Sequence, residues 1–112
     1  MTTLLDIAHA EITASRYKRM TAAVCSLYGV PVGSLKNRQR ARSVARPRQI
    51  VMYLATTDLG LATTTVGRLL GGRDHSTVIH GRDTIARMIE TNAVMRERVE
   101  RIRSSANIER SE

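Results

Sequence analysis

Thr63-Thr64-Thr65-Val66-Gly67-Arg68-Leu69-Leu70-Gly71-Gly72-Arg73-Asp74-His75-Ser76-Thr77-Val78 is the stretch that decides how this chain is read. Its first half reads as a short helix with a threonine at the N-cap. Gly71-Gly72 ends that helix, because glycine reaches backbone torsions that a side chain disfavours. Asp74 then suits the N-cap of a second helix, whose apolar positions are Val78, Ile79, Ile85, Met88 and Ile89. A short helix, a tight glycine turn and a second helix opening on polar residues have the layout of a helix-turn-helix. In that motif the N-terminal residues of the second helix meet base edges in the major groove.

Working outward, the remaining chain is also helical in pattern. Leu4, Leu5, Ala8 and Ile12 recur at helical spacing, as do Tyr17, Met20, Val24, Leu27 and Tyr28, in one long helix or two. The pattern stops at Gly29-Val30-Pro31, and Val32 to Leu35 reads as a short helical turn. Pro47 fits the first turn of a helix carrying Ile50, Val51, Leu54 and Ala55. Leu59-Gly60-Leu61 connects this helix to the central motif, and a last helix spans about 93–105. No repeat and no alternating strand pattern is present, so the expected fold is all-α, about six helices in one domain.

The chain has 112 residues with a formal charge of +8 and a pI near 11.0. The charge is concentrated. Residues 1–11 carry −2, residues 12–57 hold nine cations and no acid, and the remainder sums to +1. Lys36 to Arg48, KNRQRARSVARPR, packs six cations into thirteen residues. All but Lys18 and Lys36 of the basic residues are arginine, whose planar fork suits phosphates and base edges. The only aromatics are Tyr17, Tyr28 and Tyr53, too few for a platform that stacks single-stranded bases. Duplex DNA is the indicated partner.

Other chemistry lacks its residues. A P-loop requires Gly-Lys-Ser/Thr, and neither lysine follows a glycine. His75 and His80 lie five apart, off the i, i+4 register of a metal pair, and Cys25 has no base partner. No catalytic residue, cofactor, metal or small-molecule substrate is expected, so the chain reads as a non-enzyme. A single cysteine, no basic apolar leader and no apolar run near 18 residues fit a cytoplasmic protein rather than a membrane one.

Arg42-Ser43-Val44-Ala45-Arg46-Pro47-Arg48-Gln49-Ile50, followed at a matching interval by Gly71-Gly72-Arg73-Asp74-His75-Ser76-Thr77-Val78, resembles the C-terminal DNA-binding domain (domain IV) of the bacterial replication initiator DnaA. The resemblance extends from about Met20 to Ala106. It implies a Trp-repressor-like helix-turn-helix that binds short boxes in duplex DNA. It divides the chain into an N-terminal helical extension (1–19), the DNA-binding domain (20–106) and a tail (107–112). Carried over by position, it implies base reading by Asp74, His75, Ser76 and Thr77, with Arg40 in the adjacent minor groove. Arg42, Arg46, Arg48, Gln49, Arg73 and His80 are implied on the phosphate side. A hydroxyl at a base edge, Thr77 against a thymine methyl and an arginine in a narrow A·T-rich groove are physically consistent roles.

Several residues depart from the family pattern. Ser76 stands where Thr is usual, Thr63-Thr64 replaces a Leu-Pro-like pair, and Thr56 occupies an often basic position. Gly81 weakens the interior of the second helix by roughly 1 kcal/mol relative to Ala. The expected function is sequence-specific binding to initiator boxes, regulating replication initiation without an ATPase, as a free-standing relative of the DNA-binding part. The alternatives are a helix-turn-helix transcription regulator, or an adaptor that docks the full-length initiator through residues 1–19. Packing of that first helix on the domain is the simpler expectation.

Overall fold

The computed structural model describes residues 3–37 and 42–108, and these residues are helical without strands. The order is α1 (Leu4–Tyr28), a 3-10 turn (Val32–Lys36), α2 (Arg42–Thr57), α3 (Thr63–Leu69), α4 (His75–Thr91) and α5 (Ala93–Ala106). The five α-helices and one 3-10 turn correspond to the expected all-α architecture. No helix among the described residues is long and apolar enough to cross a membrane.

The open question about the first half resolves to a single helix. Between Leu4 and Tyr28 there is no proline or glycine to break it. Thr3 and Asp6 form a reciprocal capping box at its start, each side chain accepting from the other's backbone N–H at 3.1 Å. Gly29 closes its end at φ 67, with Val30 N–H donating to the Cys25 carbonyl at 3.0 Å. Full burial begins only at Met20. Leu4 is 86% exposed, Leu5 79% and Ile12 59%. The expectation that the first turns pack on the domain is therefore corrected, for they run past it. The expected boundary between residues 19 and 20 falls inside this continuous helix.

The core forms around α2. Ile50, Val51, Leu54 and Ala55 are fully buried, together with Met20 and Val24 of α1, Leu70, Val78 and Ile85, and Ile102 of α5. Cys25 is buried among them, as a small apolar side chain would be. Pro47 does not open α2 as expected. The helix starts five residues earlier, at Arg42. The missing proline N–H removes only the bond to Ser43, whose exposed position lets water take its place. Nor does a threonine cap α3. Ala62 is the N-cap, without a side-chain bond, and Thr63 takes the first helical position.

α5 is started by Asn92, whose Oδ1 accepts from Val94 N–H at 3.0 Å and Met95 N–H at 3.1 Å. Its far end is held by a buried ion pair. Arg103 Nε lies 2.7 Å from Asp58 Oδ2 and Nη2 lies 3.1 Å from Oδ1, while Nη1 donates to Glu100 at 2.6 Å. Burial alone would lower the pKa of Arg103, but its bonds to Asp58, Glu100 and Tyr53 raise it above the ordinary arginine value. Asp58 follows the last residue of α2, so the pair ties α5 to α2. Arg19 Nε adds a bond to the Ala106 carbonyl at 2.9 Å, joining α1 to the same corner.

Candidate nucleic-acid interface

The helix-turn-helix comprises α3, the turn at residues 70–74 and α4. Gly71 and Gly72 adopt φ 86 and 83, a left-handed region that other residues seldom occupy. These two torsions fold the chain back so that Gly72 N–H and Arg73 N–H both donate to the Gly67 carbonyl, at 3.0 and 2.8 Å. Gly67 is itself buried, and a Cβ there would overlap the Arg73 carbonyl. α3 and the turn therefore touch backbone to backbone, which fixes where α4 begins.

α4 opens with Asp74, His75, Ser76 and Thr77, four successive exposed residues, and Val78 then plugs into the core. All four expected base-reading side chains of this helix thus share one exposed end. Asp74 stands at the N-cap position, but its carboxylate does not cap the helix. It accepts from Ser76 Oγ at 2.5 Å and lies 3.4 Å from His75 Nδ1. The Ser76 bond chiefly, and the nearby His75, hold the Asp74 carboxyl below its usual pKa, which keeps it an ionised acceptor. With its proton committed to Asp74, the Ser76 oxygen is left as an acceptor.

α4 packs closely on α2. At Gly81 a Cβ would overlap Met52 Sδ and come within 3.4 Å of Gln49 Cγ. The glycine that weakens the helix on propensity grounds thus permits this approach. Gln49 lies beside that contact, and Arg46 donates to its Oε1 at 2.6 Å. Arg46 and Gln49 are therefore brought beside α4 at Gly81, and His80, the next residue back along the helix, is exposed. Arg42 is exposed at the start of α2. Arg40 lies outside the described residues.

Arg48 differs from its expected placement. It is 6% exposed and turns inward. Its Nε donates to the Leu35 carbonyl at 3.0 Å, and its Nη2 to the carbonyls of Ser34, at 3.0 Å, and Asn37. Arg73 reaches the same Asn37 carbonyl from the other side at 3.0 Å and also donates to the Leu70 carbonyl. Burial first, and the Arg73 charge second, lower the Arg48 pKa. Sequence reasoning missed Asn37, whose contribution is a backbone carbonyl, and Gly67. For Gly67 a signal existed, since a glycine inside so short a helix calls for a packing reason.

No cluster of metal-ligating side chains occurs among the described residues. Comparison with known proteins bears directly on this geometry. The family described as bacterial dnaA protein helix-turn-helix matches residues 17–85, which include α2, α3 and the exposed start of α4. The chromosomal replication initiator protein DnaA of Roseiflexus castenholzii is 39% identical over 108 residues, covering 88% of this chain and 22% of that protein. The protein of the same name from Herpetosiphon aurantiacus is 37% identical, covering 82% of this chain and 21% of the relative. That from Chlorobaculum tepidum is 34% identical, covering 95% and 22%. The chain spans about a fifth of the length of these curated relatives. With more than half of its residues matched, including both the glycine turn and the polar opening of α4, the chain belongs to the bacterial DnaA helix-turn-helix family.

Proposed function

We propose that this chain binds duplex DNA sequence-specifically at initiator boxes and acts in the control of replication initiation, at the bacterial nucleoid. The observation that carries this is the exposed run Asp74–Thr77, aimed outward by a turn whose backbone is fixed on both sides. The relatives' designation as chromosomal replication initiators supports the setting. An ionised Asp74 suits a cytosine amino group, and the Thr77 methyl suits thymine. Arg42, Arg46, Gln49 and His80 serve the phosphates, and Arg40 the minor groove. The proposed role needs no nucleotide hydrolysis, and these residues hold no Gly-Lys-Ser/Thr.

Binding to a labelled duplex with an initiator box, against a scrambled duplex over a salt series, tests the reading. About five neutralised phosphates give a log K against log salt slope near −4.5. His75→Ala and Thr77→Ala are each expected to reduce box discrimination by about 1–3 kcal/mol and to leave most non-specific binding. Unchanged discrimination in both variants would remove α4 from base reading.

A second reading is favoured by the exposed Leu4, Leu5 and Ile12: the first turns of α1 dock the full-length replication initiator. Deleting residues 1–16 should then leave folding and box binding intact while abolishing co-purification with that initiator. Loss of folding would assign these turns to the domain's own stability instead.

A further inference from the structure

An arginine of the basic segment and an arginine of the helix-turn-helix converge on one atom, the carbonyl oxygen of Asn37. Arg48 reaches it from within α2, and Arg73 from the turn before α4. The same Arg48 guanidinium spans the Ser34 and Leu35 carbonyls, so it grips the last turn of the 3-10 helix as well as its exit. A second contact closes the arrangement. Gly71 passes so near the Lys36 carbonyl that a Cβ there would overlap it. The end of the 3-10 turn is thus held by two arginines and a backbone contact, all belonging to elements that lead into α2 or α4.

We propose that Arg48 and Arg73 are positioning residues that clamp the Asn37 carbonyl, setting the register between the basic segment and the recognition helix on a single duplex. The proposal rests on the DNA-binding reading above. In sequence, α2 begins at Arg42, five residues after Asn37. The clamp ties Asn37 itself to both α2, through Arg48, and the turn, through Arg73. A side chain spent on three carbonyls inside the protein serves as a strut rather than as a phosphate contact. Two guanidiniums on one acceptor also make the two residues interdependent, because either loss loosens the carbonyl that the other holds.

Two properties separate a strut from a phosphate contact. Losing a phosphate contact lowers the salt slope by about 0.9 and weakens all duplexes alike. Losing a strut leaves the slope and reduces the preference for the box. Arg48→Met, Arg48→Lys, Arg73→Met and the Arg48→Met/Arg73→Met double variant, in the full chain, are compared on box and scrambled duplexes across salt, with thermal melting of each. Arg48→Met is expected to cut the box-to-scrambled ratio about tenfold at an unchanged slope, and Arg48→Lys to restore part of it. The double variant should lose much less than the sum of the two single losses.

A fall in slope of about 0.9 with equal loss on both duplexes would make Arg48 a phosphate contact and overturn the clamp. A lower melting temperature with full discrimination, or additive losses in the double variant, would overturn it too. If Arg48→Met does not fold, the less buried Arg73→Met gives the same readout. Equal binding of both duplexes by the unaltered chain would instead remove the box-reading function, and the clamp with it.

Discussion

Asp58→Ala is expected to destabilise the domain by about 3–5 kcal/mol, the scale for breaking a buried pair and leaving its partner charged and alone. Asp58 and Arg103 side chains are only 1% and 6% exposed. Arg103 would lose both bonds to the carboxylate and retain Glu100, which sits at the surface. Against a total stability of about 5–15 kcal/mol this is a large fraction, and a fall in Tm on the order of 15 °C should accompany it. Asp58→Leu combined with Arg103→Met should recover most of the loss, since apolar side chains of similar size often replace a buried pair at little cost. Urea unfolding of the unaltered chain and the two variants checks this. A loss below about 1 kcal/mol in Asp58→Ala would show that the pair contributes little to holding α5.

Gly67→Ala is expected to destabilise by about 1–3 kcal/mol, although alanine is the better helix former. The new methyl would meet the carbonyl of Arg73, which belongs to the backbone and cannot swing aside as a side chain would. The strain falls on the turn, so box discrimination should drop together with stability. Gly33→Ala provides the contrast, because a Cβ there meets nothing within 4 Å. It should be neutral or slightly stabilising. Equal stabilities of the two variants by urea unfolding, with box binding retained in both, would mean that α3 and the turn can separate without consequence.

The helix-turn-helix was legible in the sequence because its determinants are local: two adjacent glycines, a polar opening and the apolar series from Val78 to Ile89. The last helix was legible for the same reason, with its start and end each within a residue of 93–105. Arg48 was not. In a run of arginines its surroundings look like those of Arg46, and what turns it inward is a set of carbonyls eleven to fourteen residues away. Pro47 misled for a related reason. A proline near a helix start fits either the first turn or the second, and the helix extends through it to Arg42. The apolar spacing of Leu4, Leu5, Ala8 and Ile12 marked a helical face correctly, but no pattern within one segment states whether another segment covers it.

The uncovered part of α1 also has a mechanical meaning. From Leu4 to Met20 the helix runs about 24 Å without a hinge, and its anchored part is packed into the same core as α2 and α4. It is a stiff shaft with a fixed azimuth. Whatever grips Leu4 and Leu5 takes up a rotational phase fixed relative to α4. One residue inserted before Met20 would rotate that grip by about 100° and advance it by about 1.5 Å, leaving α2, α3 and α4 as they are.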